Sequence, residues 1–267
     1  MDNNLILAFG LTALAGLSTG IGSALAFFTR KTNKRIMSFA LGLSAGVMIY
    51  VSLVEIIIKA RNSLISYHGE TKGSWLTVAS FFCGILLILI IDFLVPSHEN
   101  PHEAHAIEEM REDSRSDKRL LRIGIFTAVA IAIHNFPEGL ATFAAALNDT
   151  ALGISIAVAV AIHNIPEGVS VSVPIYFATG NKVKAFWYSF LSGLSEPLGA
   201  FVGYFLLHPF FSENTFGILF ASVAGIMVYV SLDELIPAAK EFDTGHISIL
   251  GVIFGMALMA VSLLLFL

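Results

Sequence analysis

The chain has 267 residues, of which 56% are hydrophobic and only 13% are charged, and its formal net charge at pH 7 is −5. Soluble domains carry about 25% charged residues, so this composition, with a mean hydropathy of +0.80, excludes a soluble globule. The single cysteine, Cys83, excludes an internal disulfide. We therefore expect a polytopic membrane protein.

Apolar runs long enough to cross about 30 Å of hydrocarbon occur eight times, which predicts an all-α protein with eight transmembrane helices. The runs are 5–28, 36–58, 75–95, 121–147, 151–178, 185–211, 215–239 and 246–267. The first run lacks a preceding basic segment and an evident cleavage site, so we interpret it as a retained helix rather than a signal peptide. The whole chain, 1–267, is then one transmembrane domain, with residues 96–120 as its one sizeable polar loop.

Basic residues are distributed unequally between the two sets of loops. Twelve of the 15 lie in the loops that follow spans 1, 3, 5 and 7, whereas Lys59, Arg61 and Lys72 lie on the other side. Because positively charged loops stay in the cytoplasm, both termini are predicted to be extracytoplasmic.

Two internal repeats relate spans that cross the membrane in opposite directions. Residues 45–55 in span 2 match residues 224–234 in span 7, and residues 14–18 in span 1 resemble residues 191–195 in span 6. Inverted repeats with polar residues near the midplane are typical of alternating-access transporters. The predicted architecture is a 3+2+3 inverted repeat in which spans 4 and 5 form the central pair.

The most informative motif is His-Asn-x-Pro-Glu-Gly, which occurs in span 4 and again in span 5. An ionisable side chain in such an apolar span is costly unless it has a partner. A histidine and a glutamate four positions apart lie on one helix face, and the asparagine joins them from the side. The duplication predicts a polar site for cations, with six candidate residues: His134, Asn135, Glu138, His163, Asn164 and Glu167.

Each motif also contains a proline and a glycine. The proline has no N–H and frees the carbonyl four residues earlier, which in lipid must be covered by protein or by a water-lined cavity. Gly139 and Gly168 remove side-chain bulk, so that a neighbouring backbone or a hydrated ion can come close.

Span 6 adds a third carboxylate, Glu196, which is followed by a proline. Its partner under the repeat is Thr19, so the fold does not require an acid there, and we interpret Glu196 as a site residue. Three buried carboxylates should hold protons until metal binding releases them. Imidazole, carboxylate and amide ligands suit Zn²⁺, Fe²⁺, Mn²⁺ or Co²⁺, and Glu138 and Glu167 could each reach two ions.

These motifs resemble those of the ZIP (Zrt/Irt-like) metal-ion transporters, and most of all their bacterial ZupT-like branch. The resemblance covers essentially the whole chain. It implies uptake of divalent metal ions, zinc and iron foremost, with manganese, cobalt and cadmium as further candidates. The ions would cross a bacterial-type plasma (inner) membrane into the cytoplasm.

The resemblance also implies a binuclear centre in the middle of the membrane. The first ion would be held by His134, Glu138, His163 and Glu167. The second would be held by Asn135, Glu138, Asn164, Glu167 and Glu196. Family members often dimerise and are thought to slide one helix bundle against another, so a homodimer is an implied partner beside the lipid bilayer. We expect no catalytic cofactor and no nucleic-acid partner.

Two further acids and one loop have alternative interpretations. Glu55 and Glu234 are partners under the repeat and could gather and release cations at opposite mouths, or they could simply lie at helix ends among lipid headgroups. The loop 96–120 carries His98, His102 and His105, which could bind metal weakly. A charged linker is the favoured interpretation of that loop.

Two other functions compete with metal transport. An intramembrane metalloenzyme could use a two-metal carboxylate site to activate water, but the chain lacks His-Glu-x-x-His and a positioned nucleophile. A proton-coupled carrier of an organic substrate could use the same acids, although three carboxylates would repel an organic anion. Both alternatives are distinguished from a metal permease by an assay of metal uptake.

Overall fold

A computed structural model describes residues 3–27, 34–94, 117–207, 212–243 and 245–265 of the chain. These residues form eight helices and no strand, which confirms the all-α prediction. In chain order the helices are α1 (Asn3–Ala26), α2 (Lys34–His68), α3 (Glu70–Leu94), α4 (Asp117–Asn148), α5 (Thr150–Thr179), α6 (182–207), α7 (Glu213–Glu241) and α8 (Ile247–Leu265). The three histidines predicted in the loop 96–120 lie outside the described residues.

The helices extend beyond several of the apolar runs. Helix α2 continues to His68, ten residues past the predicted end of its span, and stops where Gly69 adopts a φ of 82°. Helix α4 begins at Asp117 rather than at residue 121. Hydropathy marks only the part of a helix that lies in lipid, whereas hydrogen bonding continues into polar turns. Among the described helices, all except α4 and α6 are long and apolar enough to cross a membrane by length and composition.

The eight helices pack as two groups of four. The first bundle consists of α1, α4, α5 and α6, in which α1 packs extensively on α5, and α4 packs on both α5 and α6. The second bundle consists of α2, α3, α7 and α8, in which α2 packs on α8, and α7 packs on α3 and α2. The bundles meet mainly where α2 and α8 contact α5 and where α7 contacts α4. Helix α1 is therefore separated from its sequence neighbour α2 and lies with α4–α6 instead.

Helices α4 and α5 are joined by a single residue, Asp149, so they are necessarily antiparallel neighbours. The Asp149 side chain caps α5 by accepting hydrogen bonds from the backbone N–H groups of Ala151 (3.0 Å) and Leu152 (3.2 Å). At the other end of α5, Gly180 adopts the left-handed conformation, with a φ of 63°, and its N–H bonds to the Tyr176 carbonyl. This hairpin holds the two His-Asn-x-Pro-Glu-Gly motifs on facing helices.

Three helices depart from regular α geometry near polar residues. Helix α6 is interrupted at Leu194, directly before Ser-Glu-Pro, as expected for a proline that cannot donate to the preceding turn. Helices α2 and α7 each contain a π-helical turn, Val51–Ile56 and Ser231–Leu235. These turns occupy matching positions of the sequence repeat and contain Glu55 and Glu234. Single π turns inside α-helices often occur at functional sites.

Candidate metal centre

Seven polar side chains predicted from the sequence are buried where α4, α5 and α6 meet. None exposes more than 4% of its surface. They are His134, Asn135, Glu138, His163, Asn164, Glu167 and Glu196. Such side chains are seldom fully buried without partners, so their partners reveal how the site is organised.

The histidines and glutamates of the two motifs pair across the helices rather than along them. His134 Nε2 and Glu167 Oε1 share a hydrogen bond of 2.9 Å, which joins α4 to α5. In the reciprocal pair, His163 Nε2 lies 3.1 Å from Glu138 Oε2. The same His163 nitrogen is 3.6 Å from Glu167 Oε1, so Glu167 faces both imidazoles. The sequence places each histidine on the same helix face as its own glutamate, and the antiparallel hairpin makes the crossed pairing the closer one.

The asparagine of the second motif connects the pairs to α6 and α1. Asn164 Nδ2 donates to Glu196 Oε1 in a short hydrogen bond and also donates to the Ala15 carbonyl oxygen at 2.9 Å. Glu196 is within electrostatic range of Glu138 and Glu167, so the three carboxyl groups belong to one cluster. Sequence reasoning missed the Ala15 carbonyl, because a backbone group has no side-chain signature. Only its place in the α1–α6 repeat could have pointed to it.

Several atoms that could bind a metal have no hydrogen-bond partner within this cluster. Among the described residues, hydrogen-bond partners are lacking for one carboxylate oxygen on each of the three glutamates, for both amide atoms of Asn135, for Asn164 Oδ1 and for both ring nitrogens of His163. His163 Nε2 and Glu138 Oε2 thus face each other at 3.1 Å without forming a hydrogen bond. Native proteins leave very few buried polar atoms unsatisfied, and each exception requires an explanation such as an ion. Carboxylate and amide oxygens with imidazole nitrogen form a donor set that suits zinc and other late first-row divalent ions.

The motif glycines allow neighbouring backbones to approach the cluster. A Cβ on Gly139 would overlap the backbone of Glu196 in α6, and a Cβ on Gly168 would overlap the Thr19 carbonyl in α1. The prediction that these glycines permit close approach is confirmed, and the approaching groups are helix backbones. These contacts allow α1 and α6 to pack close to the α4–α5 hairpin.

The cluster is not arranged as a ready-made chelate. Within the described part of the chain, no three histidine, cysteine, aspartate or glutamate side chains are positioned to hold one metal ion. The hydrogen bond between His134 Nε2 and Glu167 Oε1 occupies two atoms that an ion would need. To bind here, a metal ion would have to separate an imidazole from its carboxylate or insert between the two, and either change requires side-chain rotation.

The two secondary candidates lie in the second bundle. Glu55 is about one-quarter exposed and lies 3.7 Å from the ammonium of Lys59, one turn further along α2. Glu234 is half-buried and interacts electrostatically with His134 of the central cluster. The structure thus places Glu55 and Glu234 in different surroundings despite their equivalent positions in the repeat.

Comparison with known proteins shows the family to which this chain belongs. The family model described as "ZIP Zinc transporter" matches residues 94–263, which include both motifs and Glu196. The chain belongs to the ZIP family. It is a multi-pass membrane protein that transports divalent metal ions, and it is not an enzyme.

Several bacterial relatives of this ZIP protein align over nearly their full length. The zinc transporter ZupT of Nitratidesulfovibrio vulgaris is 63% identical over 274 residues, covering 100% of this chain and 99% of the relative. The zinc transporter ZupT of Oceanobacillus iheyensis is 60% identical, covering 98% and 99% of the two chains. The zinc transporter ZupT of Streptococcus mutans is 61% identical, and the alignment covers 100% of each chain. These relatives confirm the resemblance to the ZupT-like branch.

Proposed function

We propose that this ZIP protein takes up zinc into the cytoplasm through the buried cluster between α4, α5 and α6. The observation that supports this function most directly is the concentration of unpaired, fully buried ligand atoms on these three helices. The names of the full-length relatives support zinc as the substrate. Because the donor set suits several first-row divalent ions, Fe²⁺, Mn²⁺ and Co²⁺ are further proposed substrates. Cd²⁺, the heavier congener of Zn²⁺, is another.

We assign two adjacent metal positions to the cluster. The crossed pairs, His134 with Glu167 and His163 with Glu138, would supply the first. The amides of the two motifs and Glu196, together with the same bridging glutamates, would supply the second. Three carboxylates can neutralise more than one divalent charge, which supports a binuclear site.

Metal binding in such a cluster should be coupled to the protons on its side chains. An ion that joins a crossed pair replaces the hydrogen bond between imidazole and carboxyl, and metal ligands must be deprotonated. Each ion that enters the cluster is therefore expected to release protons, which would make uptake dependent on pH.

Alternating access would arise from movement between the two bundles. The cluster belongs entirely to the first bundle, whereas Glu55 and Glu234 belong to the second. A shift of one bundle against the other would thus expose the same cluster first to one mouth and then to the other. With both termini extracytoplasmic, the α4–α5 turn faces the outside, and Glu55 is the proposed outer acid. Glu234 is the proposed inner acid, and the membrane is the bacterial plasma (inner) membrane.

Uptake of ⁶⁵Zn and of Fe²⁺ into proteoliposomes tests the site. We expect uptake to be lost or severely reduced in Glu138→Ala, Glu167→Ala and Glu196→Ala. The matched control is Glu70→Ala, which removes an exposed glutamate from the first turn of α3. Wild-type rates for all three buried-glutamate variants would refute the site assignment. Uptake with no accompanying pH change inside the vesicles would refute proton coupling.

A further inference from the structure

An ammonium group lies between two carboxylates at the end of the molecule where α4 turns into α5. Lys59 Nζ is 3.7 Å from Glu55 Oε1 and 3.5 Å from Asp149 Oδ2. All three side chains are partly exposed, and Lys59 exposes 38% of its surface. Lys59 is also one of only three basic residues on its side of the predicted topology, so its position between two acids calls for an explanation.

The Lys59–Asp149 ion pair joins the two bundles. Lys59 belongs to the last part of α2, Ile57–His68, which packs mainly on α3 and α7 of the second bundle. Asp149 is the single residue between α4 and α5 of the first bundle. The pair lies beside a cleft of ≈ 570 Å³ whose walls come from both bundles. The cleft is lined by Lys59, Asn62 and Ser63 of α2, by Leu147 and Asn148 of α4, and by Phe216 of α7.

Asp149 connects Lys59 to the two helices that carry the His-Asn-x-Pro-Glu-Gly motifs. Its Oδ1 caps α5 through the N–H groups of Ala151 and Leu152, while its Oδ2 faces Lys59. The carboxylate is therefore fixed to α5 on one side and held by α2 on the other. Because α4 ends at the preceding residue, a tether on Asp149 restrains both motif helices at once.

The internal repeat does not require a lysine at this position. Glu55 matches Glu234 in the repeat, and continuing the same register by four residues aligns Lys59 with Ala238 in α7, which is buried. Lys59 adds a contact at one end of the molecule that has no counterpart at the repeat-related position.

We propose that Lys59 is a positioning residue that tethers the α4–α5 hairpin to α2 and so favours the arrangement of the two bundles seen here. The proposal rests on the proposed function only in treating relative movement of the bundles as part of transport. Exposed ion pairs shift an equilibrium by about 1.4- to 5-fold, so the tether biases the bundle equilibrium without locking it. A transporter requires such reversibility, because both arrangements must be populated during each cycle.

The distance between the bundles across the cleft tests the tether. Spin labels are attached to Asn62→Cys in α2 and Asn148→Cys in α4, in a Cys83→Ser background, and the distance distribution is measured in lipid nanodiscs. The short distance between the two labels corresponds to the arrangement of the bundles seen here. We expect Lys59→Met and Asp149→Asn each to lower the ratio of molecules with this distance to molecules with longer distances by about 1.4- to 5-fold. Asparagine caps helices as well as aspartate does, so Asp149→Asn removes the charge and keeps the cap.

Three controls separate a tether from a general structural effect. Lys59→Arg keeps the charge and should retain the wild-type distribution, as should Lys72→Met, which removes an exposed lysine from α3. The double variant Lys59→Met with Asp149→Asn should resemble each single variant, because all three lose the same ion pair between the bundles; the Lys59–Glu55 pair lies within α2. An unchanged distribution in either single variant, or additive effects in the double variant, would overturn the proposal. Metal uptake that survives loss of the buried glutamates would instead contradict the metal site and leave this result standing.

Discussion

Substituting Gly139 with alanine tests whether the approach of α6 to α4 sets the geometry of the metal centre. The new Cβ would overlap the carbonyl oxygen, the carbonyl carbon and the Cα of Glu196. These are backbone atoms, so they cannot be relieved by rotating a side chain, and α6 must move away from α4. Overpacking of this kind costs about 1–3 kcal/mol, which is partly offset by the better helix propensity of alanine, about 1 kcal/mol.

Gly10→Ala provides the matched control, because a Cβ on Gly10 of α1 has no other atom within 4 Å. Both substitutions gain the same helix propensity, so the difference between them isolates the overlap of about 1–3 kcal/mol. For domains of 150–250 residues, each kcal/mol shifts Tm by about 2–4 °C. We therefore expect Gly139→Ala to melt about 2–12 °C below Gly10→Ala in the same detergent.

The same displacement should also weaken metal binding, because Glu196 moves with its backbone. If the full 1–3 kcal/mol appears at the site, metal affinity falls by about 5- to 150-fold. Isothermal titration calorimetry of the purified protein with Zn²⁺ measures this change in affinity. Equal melting temperatures and equal affinities for the two glycine variants would show that the contact between α4 and α6 does not position Glu196.

Three further predictions concern the amides, the α5 cap and the polar loop 96–120. Asn164→Ala should destabilise the protein in thermal unfolding by about 1–3 kcal/mol more than Asn135→Ala. The reason is that, of these two asparagines, only Asn164 makes hydrogen bonds that the substitution removes. Equal destabilisation by the two variants would contradict the bridging role of Asn164. The pKa of Asp149 is lowered below its ordinary value of 3.8, chiefly by the hydrogen bond from the Leu152 N–H. The stabilisation that the Asp149 carboxylate contributes is therefore complete at pH values above 3.8. It is lost as the pH falls through the lower pKa of the folded state. The Tm difference between wild type and Asp149→Asn should thus stay constant from about pH 8 to pH 5, and a difference that shrinks in this range would contradict the assigned environment. Deleting residues 98–117 should leave zinc uptake largely intact in a normally inserted protein, whereas complete loss of uptake would give its histidines a role in transport.

The π turns of α2 and α7 illustrate a feature that could be anticipated only in part. The repeat between residues 45–55 and 224–234 was visible in the sequence, and it placed Glu55 and Glu234 at equivalent positions. The extra residue in each turn was not visible, because π turns lack a reliable local signature and are stabilised by tertiary packing. The surroundings of the two glutamates also differ, since Glu55 pairs with Lys59 of its own helix, whereas Glu234 interacts electrostatically with His134 of another helix.

Eight membrane-crossing helices and the duplicated polar residues within them could be predicted from the chain alone. Apolar length, charge distribution and motif repetition are properties of the linear chain, and lipid allows few alternatives to a helix. Which of these residues contact one another depends on how the helices pack. Helical periodicity brings His134 close to Glu138, but the one-residue turn at Asp149 brings it to Glu167 instead. Grouping into two bundles and the Lys59 contact across them likewise depend on packing between distant segments, which no local pattern encodes.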